Sequence, residues 1–129
     1  MIIERNGITA AGTWGVDYTK FISSFPEEGS CVQIYSETVN NGGAPYNLLV
    51  NLRRLDAPFP LRAVGCVGQD IDGASIMKDC KAHGIDSRAM RIMPWSSTSF
   101  SDVVITQDTG VRTSFHHAGA NDLLAAEHF

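Results

Sequence analysis

Asp17 lies near the end of a stretch, Ile8 to Tyr18, that reads as a buried strand running into a glycine-punctuated turn. A carboxylate just past a strand end stands where open α/β sheets place their ligand-contacting groups. It can accept two hydroxyl hydrogen bonds from a polyol, each charge-assisted and worth about 1.5–3 kcal/mol. The competing reading, a turn or capping Asp, has equal weight on this residue alone. Gly42-Gly43 follows Asn40-Asn41 and precedes Ala44-Pro45 and a helical run. Glycines there let a ligand approach the backbone, and a helix N-terminus offers unpaired N–H groups and partial positive charge. That chemistry suits hydroxyls, carbonyls or phosphate oxygens; the competing reading is a flexible strand-to-helix connection. Asn47, near the start of the same helix, points outward from its leucine face.

Other candidates carry less. Gly65-x-x-Gly68 is not G-x-G-x-x-G, and no G-x-x-x-x-G-K-[ST] occurs, so a nucleotide-binding module resting on Gly65 and Gly68 alone has no motif behind it. His116 and His117 are adjacent on a β-like run, where neighbours face opposite ways and cannot chelate one ion together. His83 and His128 have no partners in sequence, and no Ser/His/Asp or Cys/His set can be assembled from spacing. Trp14 and Trp95 read as packing residues. Of the three cysteines, Cys66 sits in an apolar run and Cys80 on an apolar helix face. With Cys31 they read as small hydrophobes rather than redox or metal groups.

The elements that must position these residues follow from periodicity. Cys31 to Val39 alternates like a half-exposed strand, after the turn signal Phe25-Pro-Glu-Glu-Gly29. Tyr46 to Leu55 is helical, with Leu48, Leu49, Leu52 and Leu55 on one side and Asn47, Asn51 and Arg54 on the other. Leu61 to Val67 reads as a central strand, and about Gly73 to His83 as a second helix with Gly84 as its left-handed cap. Phe100 to Thr106 and Val111 to His116 flank Gln107-Asp-Thr-Gly110 as a hairpin, and a helical turn begins after Leu123. Strand, helix, strand, helix in this order implies βαβ units and a parallel sheet.

Composition narrows the function classes. The chain has 129 residues, enough for one domain, and is 43% hydrophobic with a net charge of −4. No Lys/Arg cluster is present, which argues against gripping a nucleic-acid backbone. No apolar stretch approaches the roughly 20 residues of a membrane helix, so no membrane partner is expected. Charges directly after Ile2 and Ile3 do not resemble a secretory leader, and a cytoplasmic location is expected.

The ordered set of Asp17, Phe-Pro-Glu-Glu-Gly, Asn-Asn-Gly-Gly-x-x-x-Asn at a helix start, Ala-Val-Gly-Cys-Val-Gly-Gln-Asp-x-x-Gly, His-Gly-Ile-Asp and Ala-Gly-Ala-Asn resembles the N-terminal part of the ribokinase-type (PfkB) carbohydrate kinases. The likeness runs from about Ile8 to Leu124. It rests most on Gly42-Gly43-Ala44-Pro45-Tyr46-Asn47 followed by Gly65, Gly68, Asp70 and Gly73.

The resemblance implies a Rossmann-like α/β fold, a parallel sheet with flanking helices plus a small β-sheet lid. Residues 1–129 would be the N-terminal part of one ribokinase-like domain, with lid segments about 30–40 and 98–117. It implies ATP-dependent phosphorylation of a sugar or related alcohol, with Asp17, Gly42, Gly43 and Asn47 as sugar ligands and a homodimer through the lid strands. Some members carry Asn two residues before the sugar-binding Asp; Gly15 stands there, which removes a hydroxyl contact and counts against ribose. No Gly-Ala-Gly-Asp-type segment follows Asn121. The catalytic base, ATP and Mg are therefore expected to need sequence outside these residues, and the chain alone is expected to be inactive. With two helices for a parallel sheet that wants both faces covered, it is also expected to be marginally stable alone. The rival expectation is a non-catalytic, dimerising interaction module of the same fold.

Overall fold

Every residue of Leu61–Gly68 except Arg62 is buried, which makes this strand the centre of the molecule. Strands covered on both faces read as continuous apolar runs, and this one does. In the computed structural model, which describes residues 5–128, it is β4. Met1 to Glu4, where the leader reading begins, and Phe129 lie outside the described residues.

The other elements are β1 (Ile8–Ala11), β2 (Gly15–Ile22), β3 (Ile34–Gly42), α1 (Ala44–Arg54), α2 (Ile71–Ala82), β5 (Asp86–Met93), β6 (Ser99–Thr106) and β7 (Arg112–His117). They form two sheets. β1, β4 and β5 make a parallel sheet with β4 in the middle. The second sheet has the order β3-β2-β6-β7, in which β2 runs antiparallel to β3 and parallel to β6, and β7 closes a hairpin with β6.

Both helices pack on one face of the parallel sheet. Leu49 and Val50 of α1, and Ile76 and Cys80 of α2, meet Ala10, Leu61, Ala63, Val67 and Met90 in a single cluster. Burial pushes the Cys80 thiol up to about 11 and raises the Cys66 thiol too, so both stay un-ionised hydrophobes. The opposite face is covered only in part. Two 3₁₀ turns, Gly119–Leu123 and Ala126–His128, lie where a third helix was expected to begin. Val64 and Cys66 on that face are buried, with His128 Nδ1 3.8 Å from Cys66 Sγ, while Thr9, Ala11, Arg62 and Arg91 remain exposed.

Several expectations need correction. The strand from Ile8 does run into a glycine-marked break, at Gly12–Trp14, but the turn expected to extend to Asp17 is a second strand: β1 lies in the parallel sheet and β2, from Gly15, in the lid sheet. Gly12 takes φ +145°, a conformation L side chains rarely adopt, and Trp14 turns inward to donate from Nε1 to the Val64 carbonyl at 2.9 Å. Asp17 therefore sits inside a strand rather than in a turn beyond one. On α1 the buried stripe is Pro45, Leu49 and Val50, whereas Leu48 and Leu55 are exposed. Leu55 is already the cap residue, past the end of the sheet-facing surface. Helix α2 starts at Ile71 because Asp70 caps it, its Oδ1 accepting from the Gly73 N–H at 2.8 Å. Trp14 is fully buried as expected, but Trp95 is 96% exposed and packs on nothing.

Candidate functional site

The two sheets meet along a seam that β2 and β6 enter at Gly15 and Ser99 and that β3 and β7 leave at Gly42 and His117. A cleft of about 150 Å³ opens there, lined by residues 13–17, Gly42, Gly43, 99–101, His116 and Asn121. Asp17, Gly42 and Gly43, chosen from the sequence, thus share one cavity.

Asp17 is half-buried and enters no ion pair among the described residues. A Cβ on Gly42 would lie 3.5 Å from Asp17 Oδ2, so any larger side chain there would grow over the carboxylate. Gly43 is required by its backbone: φ is +102°, and a Cβ would be 2.2 Å from the Thr13 carbonyl oxygen. It caps α1, whose first helical bond runs from the Asn47 N–H to the Gly43 carbonyl at 3.0 Å. Gly15, the departure from the resemblance, has a local cause. A Cβ there would be 2.8 Å from the Ser99 carbonyl oxygen across the β2–β6 pairing.

Asn47 is not brought into this cleft. It is exposed on α1 and lines a separate depression with Asn40, Asn51 and Arg54.

The cleft floor is fixed by contacts that spacing did not reveal. Asn121 clamps the main chain of Trp14: its Oδ1 accepts from the Trp14 N–H at 3.1 Å, and its Nδ2 donates to the Trp14 carbonyl at 3.0 Å. Gly65 makes room for the indole, since a Cβ there would lie 2.2 Å from Trp14 Cδ1. Gly68, Asp70, Gly73 and Thr98 form a knot between β4, α2 and β6. Thr98 donates from its hydroxyl to Asp70 Oδ1 at 2.6 Å and from its N–H to Oδ2 at 2.7 Å, and its Oγ accepts from the Gly68 N–H at 2.9 Å. Burial raises the Asp70 pKa, but the donors from Thr98 and Gly73 outweigh it and leave the carboxyl below its ordinary range. The Gly65, Gly68, Asp70 and Gly73 pattern is thus packing and capping, in keeping with the weakness of the nucleotide reading.

Outside the cleft, the Tyr18 hydroxyl reaches both carboxylate oxygens of Asp72 at 2.7 and 2.8 Å, tying β2 to α2. The Asp72 carboxylate holds the phenol proton and pushes its pKa up to about 12. Tyr46 likewise bonds Asp79, and burial followed by that bond raises it to about 12. His116 and His117 face opposite ways, as alternation demands: His116 Nδ1 lies 3.1 Å from Ser101 Oγ, and His117 Nε2 lies 3.0 Å from Ser97 Oγ. No cluster of three or more His, Cys, Asp or Glu suited to a metal exists among the described residues.

Ser101, His116 and Asn121 also line the cleft and were not singled out from the sequence. The hairpin alternation placed Ser101 and His116 on a common face, but only the parallel β2–β6 pairing sets that face beside Asp17.

Solved structures of similar fold include Giardia lamblia ribokinase, with 21% identity and a TM-score of 0.83 over 96% of this chain and 37% of that one. The Methanocaldococcus jannaschii nucleoside kinase, described as an archaeal member of the ribokinase family, gives 24%, 0.80, 90% and 38%. Xylella fastidiosa fructokinase with bound ATP gives 21%, 0.73, 96% and 37%. The fold is therefore ribokinase-like: a parallel sheet with helices and a second, small sheet. The chain spans at most 40% of the length of these structures. The sequence pattern of the pfkB family carbohydrate kinases matches residues 15–129, and the chain belongs to that family. None of the curated proteins matches it. Among the described residues no helix is long and apolar enough to cross a membrane.

Proposed function

We propose that this chain is the acceptor-binding part and lid of a cytoplasmic, ATP-dependent kinase acting on a sugar or related alcohol, the N-terminal part of one ribokinase-like domain. The observation that carries the reading is the shared cleft of Asp17, Gly42 and Gly43. A free carboxylate beside side-chain-free backbone can take two ring hydroxyls, each bond worth about 1.5–3 kcal/mol. Asn47, on the outer surface of α1, would join only from a ligand edge that extends past the helix start.

Phosphoryl transfer also needs a base within reach of the attacking hydroxyl and positive potential at the transferring group. The cleft has a carboxylate and no lysine or arginine in its lining, so it suits an uncharged polyol and opposes phosphates. The described residues likewise hold no carboxylate cluster fit for Mg. ATP and Mg are assigned to sequence outside residues 1–129. Xylella fastidiosa fructokinase, one of the similar folds, is described with bound ATP.

Calorimetric titration of the chain with a panel of pentoses, hexoses and nucleosides tests the reading. Binding of at least one, lost more than 100-fold in Asp17→Ala with an unchanged thermal midpoint, supports it. Equal behaviour of wild type and variant overturns it, and ATP turnover by the purified chain overturns the assignment of the chemistry elsewhere.

A second reading is favoured by the lid itself. Ile34, Tyr35, Val39, Val111 and Phe115 of the lid segments are all about half exposed, a surface that would pair with a second copy. A sugar-independent dimer in light scattering would support that reading.

A further inference from the structure

Four polar side chains form one row straight across the lid sheet. Asn40 on β3 pairs with Asp17 on β2, Asp17 with Ser101 on β6, and Ser101 with His116 on β7. Residues directly opposite share a face of a sheet, and Asp17, Ser101 and His116 all line the cleft. The row therefore has a carboxylate toward one end and a hydroxyl–imidazole pair at the other. From β2 to β7 is two strand spacings, about 10 Å.

The two ends differ in kind. Asp17 only accepts hydrogen bonds. Ser101 Oγ and His116 Nδ1 share a bond of 3.1 Å, and with the imidazole uncharged the pair holds two protons, of which that bond uses one. If Ser101 donates, the remaining proton sits on Nε2; if the ring donates, it sits on Oγ. In both arrangements one donor is left over. No lysine or arginine lines the cleft, and Asp17 disfavours a negative ligand.

We propose that Ser101 and His116 determine acceptor specificity by binding a neutral hydrogen-bond acceptor, a carbonyl or ring nitrogen, carried by the ligand one to two strand spacings from the hydroxyls held at Asp17. The class of ligand is a polyol ring with an uncharged heteroatom-bearing substituent rather than a bare sugar or a sugar acid. The inference rests on the acceptor-site reading above and extends it.

The test is calorimetry on the full chain with three probes of the same ribo configuration: the bare sugar D-ribose, the ring-fixed nucleoside inosine and the open-chain anion D-ribonate. Wild type should bind inosine about 3- to 10-fold more tightly than ribose, the worth of one neutral hydrogen bond, and ribonate least. Ser101→Ala with His116→Leu should remove the inosine advantage and leave ribose within twofold. His116→Gln, which keeps a donor at that place, should retain most of the inosine affinity. A merely structural role would weaken both neutral probes alike, and that result overturns the proposal, as does ribonate binding tightest. Asp17→Ala separates the two levels: if it abolishes ribose and inosine binding while the double variant changes neither, only the specificity role fails. If Asp17→Ala has no effect on a ligand that wild type binds, both readings fail; if wild type binds none of these three probes, the specificity role fails and the acceptor-site reading is decided by the wider sugar panel.

Discussion

The two sheets of this chain are built by opposite rules. The parallel sheet buries β4 almost completely and seals one face with two helices. The lid sheet leaves seven of the nine residues of β3 exposed; Val16 and Tyr18 of β2 reach the core cluster, and its other ties to the rest are polar, Tyr18 to Asp72 and Ser75 Oγ to Asn41 Oδ1 at 3.3 Å. The first is held mainly by apolar area, the second mainly by backbone ladders, a few hydrogen bonds and the apolar foot of β2. A cleft at their seam gains from both. The buried sheet fixes Trp14 and hence the start of β2, while the polar sheet presents hydroxyl, carboxylate and imidazole groups without sinking them in the core. The difference teaches where rigidity comes from in this molecule: from Trp14, Gly65 and Asn121 under the cleft rather than from the strands that line it.

The sharpest way to break that contrast is to cut the same kind of side chain on each side. Trp14→Ala removes a fully buried indole and the shorter of two hydrogen bonds to the Val64 carbonyl, which keeps the Gly12 N–H at 3.3 Å, and should cost about 3–5 kcal/mol. Tyr35→Ala, on a lid residue 57% exposed, should stay within about 0.5 kcal/mol. Urea midpoints of the two variants measure the difference directly. Comparable losses would mean that the lid carries as much of the stability as the parallel sheet.

Asn121→Ala probes the joint between them. Two side-chain bonds to the Trp14 main chain disappear, and with water able to replace them in part the loss should be about 1–2 kcal/mol. Because Asn121 also lines the cleft beside the start of β2, sugar affinity should fall as well, though less than in Asp17→Ala. A variant that loses stability but keeps full affinity would show that Asp17 is oriented by the lid ladder alone.

How much of this was legible in the sequence divides along the same line. The apolar run of β4, the period of α2 with its Gly84 cap, and the β6–β7 hairpin were all readable, because local pattern and burial agree there. The joint was not. The glycines marked a turn after the first strand, but nothing in the letters says that a second strand starts at Gly15 or that the indole between them turns inward under a glycine 51 residues later. Asp86–Met93 suggested no element: as β5 it is an edge strand whose charged residues, Arg88 and Arg91, interrupt the apolar pattern. Asp17, Gly42 and Gly43, which share the cleft, each have a local signature, whereas Ser101 and His116 come beside them only through a parallel pairing between distant segments. Asn47 shows the converse: its motif position was plain, yet α1 turns it away from the cleft.

The smallest expected effect is alkaline, and it tests how much the Tyr18–Asp72 bond between the lid and α2 contributes to stability. Tyr18 and Tyr46 are both raised to about 12, Tyr18 by its bond to Asp72 and Tyr46 by burial and its bond to Asp79. The unfolded chain loses these phenol protons near pH 10, about two units before the folded one. Between pH 10 and 12 the unfolded state thus binds fewer protons, and stability falls as pH rises; below pH 10 the contribution is complete. Tyr18→Phe should therefore be less stable than wild type at pH 8 by roughly 1 kcal/mol or less, the worth of a half-exposed hydrogen bond. Its decline above pH 10 should also be shallower, because only Tyr46 still contributes. Urea midpoints at pH 8, 9, 10 and 11 check this. If wild type and Tyr18→Phe decline in parallel, the Tyr18–Asp72 tie adds nothing to the fold, and the lid is held by the seam and the Ser75–Asn41 bond.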